Sequence, residues 1–251
     1  MAPRDILQQI TGDLRLSLGL LTRLPLPGEP DLTRGAAAAW AWPLAGLAPA
    51  LLAGLAIWLT SGLGSGLSAA LALAVMAMVT GAMHEDGLAD TADGLWGGWT
   101  AERRLEIMKD SHIGTYGVLA LILSVLARWS LLAGLITAGQ ALPALMAAAL
   151  LSRVPMVALM AWMPPAREGG LSRAVGQPPL EAAGIGGGVA LVLAMALTGS
   201  TAIWAALLIA AVAIALGMLA KAKIGGQTGD ILGASQQLSE IAALAVLAAS
   251  L

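Results

Sequence analysis

The sequence predicts an all-α fold: a polytopic integral membrane helix bundle of about seven spans plus an N-terminal amphipathic helix. Three observations carry that expectation. Of 251 residues, 58% are hydrophobic and only 11% charged, whereas a soluble domain carries about 25% charged residues. Mean hydropathy is +0.83. Apolar runs approaching the roughly 20 residues needed to cross hydrocarbon recur along the chain, separated by short loops. The chain reads as one integral membrane domain over residues 1–251, with no soluble domain.

Composition also excludes partners and chemistries. A formal net charge of −2 and a pI near 5.6 provide no basic field, so no nucleic acid partner is expected. The chain has no cysteine, which rules out disulfides and thiolate metal sites. After Arg4 polar and apolar residues alternate instead of forming a short apolar core, so no cleavable signal is expected.

In order along the chain, Leu7, Ile10, Leu14, Leu18 and Leu21 recur at helical spacing over residues 6–24. Gln8, Asp13 and Arg15 interrupt any continuous apolar run. That pattern describes an amphipathic helix at the interface, or one packed among other helices. Arg23 opens RLPLPGEP, whose three prolines force an extended turn, either a plain linker or part of a site. Residues 43–60 and 67–83 are apolar runs separated by the uncharged SGLGSG. Pro43, Gly46, Pro49 and Gly54 allow close approach or a kink that membrane neighbours accommodate. A polar segment, ERRLEIMKDS, covers 102–111. Beyond Gly114 and Gly117 a span runs to about 137, and after AGQA another runs to about 163, ending at Pro164 and Pro165. A charged loop holds Arg167, Glu168, Arg173 and Glu181. The stretch 184–220 is broken by TGST at 198–201, which makes two short spans. Residues 221–234 contain KAKIGGQTGDILGA, and a last span covers 238–251.

Loop charge alternates. Loops near 61–66, 138–141 and 198–201 carry none, whereas those near 25–36, 85–113, 164–182 and 221–234 hold most of the Lys and Arg. The positive-inside tendency makes the charged set cytoplasmic. The acidic stretch, the basic segment and the GGQTGD loop then share one face of the membrane and are free to build one site there.

Chemistry concentrates in MHEDGLADTADGLWGG, residues 83–98. Asp86, Asp90 and Asp93 stand at i, i+4 and i+7, within an arc of roughly 60° on a helix. Three carboxylates on one face repel unless a cation sits among them. Asp ligands without Cys or a His cluster point to Mg²⁺ or Mn²⁺ holding a phosphate substrate, and the alternative is a solvated acidic helix start. GGQTGD offers backbone N–H groups at Gly225, Gly226, Gln227 and Thr228 to line a phosphate, with Asp230 available to a second metal; a plain turn is the alternative. Lys221 and Lys223 either neutralise phosphate or anchor a helix end at the headgroups. His84 lies about 160° around the helix from the carboxylate centre, which leaves a general base or a hydrogen-bonded core histidine. His112, beside Asp110 and Ser111, belongs to the surface or to the site. Arg128 and Arg153 fall mid-span, where a charge is functional or paired, and Glu240 is a partner for either.

HEDGLADTADG, RLEIMKDSHIGTYG and GGQTGDILGA, with RLPLP near the start and the AREGGL loop, closely resemble the cobalamin synthase family, the adenosylcobinamide-GDP ribazoletransferases. The resemblance runs in order from about residue 23 to 240. It implies a Mg²⁺-dependent enzyme of the cell inner (cytoplasmic) membrane, multi-pass, with its active site facing the cytoplasm. Such an enzyme joins adenosylcobinamide-GDP to α-ribazole or α-ribazole 5′-phosphate and releases GMP, the last stage of vitamin B12 assembly. On that basis Asp86 and Asp90 are metal ligands, Asp93 is a ligand or base, and Asp230 completes a second metal position. His84 joins Asp93 as a catalytic candidate, and Arg103, Arg104 and Lys109 hold the guanosine-side phosphates. Glu85 departs from the family pattern, which is apolar there, and makes the metal count less certain. A homo-oligomer is compatible with all of this. Two other classes compete: a CDP-alcohol phosphotransferase of the phospholipid type, and a cation-coupled transporter with Arg128 and Arg153 lining its path.

Overall fold

The computed structural model describes residues 3–27 and 32–251. Pro30, the last proline of the expected extended turn, lies outside them. Helix α1 covers Pro3–Leu21. Its buried Asp13 accepts hydrogen bonds from Arg34 Nε at 2.7 Å, Arg34 Nη2 at 2.8 Å and Trp40 Nε1 at 2.8 Å. The amphipathic helix is therefore tethered to the start of the first span, while Ile6, Leu7 and Ile10 stay exposed.

That first span begins earlier than its apolar run. A 3₁₀ segment, Leu32–Ala41, interrupted at Gly35, leads into α2 (Trp42–Ala45) and α3 (Leu47–Leu59). Then follow α4 (Ser65–Thr80), α5 (Met83–Gly97), α6 (Ala101–Ile107) and α7 (Thr115–Thr137). The next span is broken at Arg153 into α8 (Ala141–Ser152) and α9 (Val154–Trp162). A short α10 (Leu171–Val175) precedes α11 (Leu180–Thr198), α12 (Thr201–Ile224) and α13 (Gly229–Ala249). Among the described residues six helical stretches are long and apolar enough to cross a membrane, and α4 with α5, bent by 89°, makes a seventh if the pair is one span. No strand forms among them beyond an isolated bridge between Pro165 and Gln227. The expected all-α membrane bundle is what the chain folds into, and the break at TGST falls where the sequence puts it.

One boundary requires correction. The last span starts at Gly229 rather than at 238, and KAKI belongs to the end of α12, so the loop shrinks to residues 225–228. Local chemistry sets both ends. Gly225 takes φ 78° to close α12, the left-handed position that glycine fills cheaply. Thr228 Oγ1 accepts the N–H of Ile231 at 3.3 Å to start α13, an N-cap that hydropathy does not register.

Two features aim α5. Gly81 and Ala82 both adopt the left-handed conformation, with φ 66° and 55°, and this pair makes the sharp bend after α4. Ala82 is strained there by about 1–2 kcal/mol, and the Ala82 N–H bond to Ala77 O at 2.7 Å helps hold it. Beyond the bend α5 crosses α13 where two glycines meet. A Cβ on Gly87 would stand 2.9 Å from Asp230 O and 3.1 Å from Gly233 Cα, so only glycine admits this backbone approach.

Candidate active site

The glycine crossing brings Asp230, in the first turn of α13, beside the acidic face of α5. Asp86, Asp93 and Asp230 are the carboxylates in electrostatic range of Asp90, and Arg167 is the basic group that opposes them. Arg167 Nη2 lies 3.2 Å from Asp230 Oδ2, and Thr228 Oγ1 lies 3.1 Å from the same oxygen. A cavity of about 200 Å³ is lined by His84, Asp86, Arg167, Ser172, Gly229 and Asp230, among others. Arg167 arrives there because its loop is stitched to the GGQT loop. Gln227 N–H donates to Pro164 O at 2.9 Å and Ala166 N–H donates to Gln227 O at 2.8 Å, while Gly226 lies too close to the Pro164 carbonyl to carry a side chain.

Arg167 is the residue that sequence reasoning passed over. It was visible only as one charge in a loop, although AREGGL was among the family-like motifs. Its Nη1 is buried without a protein partner, as are His84 Nε2 and Gln227 Oε1. His84 is 2% exposed yet lines the same cavity as Asp86, despite its angular offset on α5, because the cavity wraps around the start of that helix.

Asp93 is placed differently from its neighbours. Its carboxylate accepts the N–H groups of Gly114 at 2.7 Å and Gly117 at 2.9 Å, so both oxygens cap the N-terminus of α7. A Cβ on either glycine would strike it. Glu85 also leaves the acidic face: its Oε1 lies 3.2 Å from Arg128 Nη1 and 3.2 Å from Gln237 Nε2.

Most of the basic candidates are engaged elsewhere. Arg104 Nη1 donates to Lys223 O at 3.0 Å, and Lys223 Nζ donates to Leu95 O at 2.6 Å, so each closes the C-terminal end of a helix. Lys223 also sits 4.5 Å from the Trp96 ring and Lys221 5.6 Å from that of Trp162. Arg103 pairs with Glu106 at 3.0 Å on the exposed face of α6, and Lys109 is exposed. His112 Nδ1 lies 2.7 Å from Asp110 Oδ1 at the surface.

Among the described residues no three acidic or histidine side chains converge in metal-coordinating geometry. An open Mg²⁺ site does not need three, because this ion keeps waters and takes substrate phosphate oxygens beside one or two carboxylates. Asp86, Asp90 and Asp230, in electrostatic range of one another and of Arg167, are the hard-oxygen donors that fit such a site.

Fold and site together define a multi-pass, all-helical membrane protein with a cavity lined by Asp86, Asp230, His84 and Arg167. The chain belongs to the cobalamin-5-phosphate synthase family, whose profile matches residues 13–248. It is similar to the adenosylcobinamide-GDP ribazoletransferase of Bradyrhizobium diazoefficiens, with 46% identity over 98% of this chain and 96% of the relative. The enzymes of the same name from Mesorhizobium japonicum and Brucella ovis are 45% and 43% identical, over 100% and 94% of this chain and 96% and 95% of theirs. No solved structure matches the chain.

Proposed function

We propose that this protein transfers the cobinamide phosphate of adenosylcobinamide-GDP to a ribose hydroxyl of α-ribazole or its 5′-phosphate, releasing GMP. Full-length similarity to enzymes carrying that name carries the reading, and the pocket's chemistry supports it. In the reaction a ribose oxygen forms a bond to the cobinamide-side phosphorus. The P–O bond to the GMP phosphate breaks, and its electron pair leaves with GMP. Such a transfer depends on neutralised phosphate oxygens and a positioned nucleophile.

Asp86, Asp90 and Asp230 would hold Mg²⁺, which when bound would neutralise charge on the phosphate oxygens. Arg167 presents an unpartnered Nη1 beside them and is the pocket's own phosphate-binding group. The geometry favours it over Arg103, Arg104 and Lys109 for that task. His84 Nε2, unpartnered in the same cavity, accepts the proton of the attacking hydroxyl. Gln227 and Thr228 act by clamping the two loops and capping α13. The pocket is read as cytoplasmic, in the inner membrane, from loop charge.

Detergent-solubilised protein given adenosylcobinamide-GDP, α-ribazole and Mg²⁺ should release GMP and coupled product one for one. Mn²⁺ should substitute, Ca²⁺ should do so poorly, and excess EDTA should abolish turnover. GMP appearing equally fast without ribazole would make the protein a hydrolase. Reaction of CDP-diacylglycerol with an alcohol, and none with the cobinamide substrate, would replace this reading with a phospholipid-type transferase.

A further inference from the structure

We propose that Glu85 is a positioning residue: through Arg128 and Gln237 it sets the rotation of α5 about its own axis and so aims Asp86 and Asp90 at Asp230. The inference rests on reading those three aspartates as the reacting face. Where α5 crosses α13 the contact is glycine on glycine, Gly87 against Gly233. Ridges of side chains normally fix how one helix is turned against another, and at the crossing point itself glycines replace them. Away from it Leu88 and Leu95 share a core cluster with Ile231 and Ala234, and Asp93 holds α5 to the start of α7, so a polar anchor beside Asp86 adds to these in fixing the rotation.

A buried polar network is in place to do so. Glu85 Oε1 accepts from Arg128 Nη1 of α7 and Gln237 Nε2 of α13, each at 3.2 Å. The same Arg128 nitrogen lies 3.4 Å from Glu240 Oε1. Gln236 Nε2 donates to Glu240 Oε2 at 2.7 Å and lies 3.1 Å from Ser152 Oγ of α8, and its Oε1 accepts from Gln237 at 2.9 Å. Arg128 is 3% exposed and Glu240 1%, so the guanidinium is held where an unpaired charge is costly. Glu85 precedes Asp86 by one residue, about 100° around the helix. Anchoring it against α7 and α13 therefore constrains where Asp86 points. A rotation of about 20° would carry a carboxylate about 5–6 Å from the axis through roughly 2 Å, and about 1 Å of misplacement is enough to cost a hundredfold in rate.

Because the chain has no cysteine, an introduced pair reports this geometry without background and without metal. In native membranes, the Asp86→Cys/Asp230→Cys chain should cross-link readily with a short bifunctional thiol reagent. Adding Glu85→Ala should slow cross-linking at least about tenfold, and Glu85→Asp should recover part of it. Glu240→Ala removes the other carboxylate from the same guanidinium, and its hydrogen-bond partners, Arg128 and Gln236, lie outside α5, so it should lower Tm and leave the cross-linking rate within about twofold. Should Glu85→Ala fail to fold, Glu85→Gln keeps an acceptor oxygen in place and should give an intermediate rate. In the otherwise unaltered enzyme, Glu85→Ala should lower kcat more than it raises KM. Parental cross-linking in Glu85→Ala, or equal slowing in Glu240→Ala, would overturn the proposal. If the parental pair did not cross-link, both the proposal and the reading of the acidic face would fall. If cross-linking behaved as expected but no ribazole transfer occurred, only the reaction would be wrong.

Discussion

Asp90 and Asp93 stand one helical turn apart on α5, yet their surroundings assign them different work. Asp90 is half-buried among carboxylates with Arg167 opposing, whereas Asp93 spends both oxygens on the N–H groups of Gly114 and Gly117. Asp90→Asn should therefore cut kcat at least about a hundredfold, roughly 2.7 kcal/mol of transition-state stabilisation, with Tm preserved. Asp93→Ala should lower stability by about 2 kcal/mol through the lost cap, and a thermal melt of the two variants separates the roles. Arg167→Ala should raise KM for the GDP conjugate more than tenfold, about 1.4 kcal/mol, and leave KM for the ribazole nearly unchanged. At the surface, the hydrogen bond that the His112 ring donates to Asp110 raises the pKa of His112 above 6.5, and the same bond lowers that of Asp110 below 3.8. The histidine's contribution to stability is complete below 6.5 and is lost as pH rises through its raised value. That of the aspartate is complete above 3.8 and is lost as pH falls through its depressed one. An NMR titration should find the His112 midpoint elevated in the native chain and back near 6.5 in Asp110→Asn; an unchanged midpoint would contradict the pairing.

Among the helices, α5 and α13 depend on a contact that side chains would destroy. Gly87→Val should push them apart, costing about 1–3 kcal/mol of overpacking and nearly all activity, because Asp230 would leave the acidic face. Native-like turnover in that variant would mean that the crossing does not organise the site. The spacing of Asp86 and Asp90 showed in advance that they share a face, since a regular helix repeats every 3.6 residues. The same spacing grouped Asp93 with them, and it could not foresee the α7 N-terminus arriving to claim that carboxylate. By charge Arg104 reads as a phosphate binder, and Lys223 as a phosphate neutraliser or a helix-end anchor. Each meets a helix C-terminus contributed by a distant segment, a partner that no local pattern reveals. The last span was placed late for another reason: Gln236, Gln237 and Glu240 make the first half of α13 look polar, although all three are buried and satisfy one another.

For the whole molecule, loop charge predicts a topology that reporter fusions can check. Fusions at Glu102, Arg173 and Gly226 should report cytoplasm, and one at Gly64 the opposite side. Discordance between Glu102 and Gly226 would dismantle a site built from both ends of the chain. Arg128, considered as lining for a transport path, is instead paired to Glu85 and Glu240. Membrane residence, the number of spans and the spacing of the acids on α5 were legible from the residues alone, because hydropathy and helical period are local, additive properties of a chain in lipid. Family membership was legible as well, in motifs that keep their order. Which acids lie together, which basic group faces them, and what Glu85 pairs with were decided only when the glycine crossing and the loop clamp brought residues 84–93, 164–167 and 227–240 together. Those are distance-dependent electrostatic and steric facts, and chain order carries no record of distance.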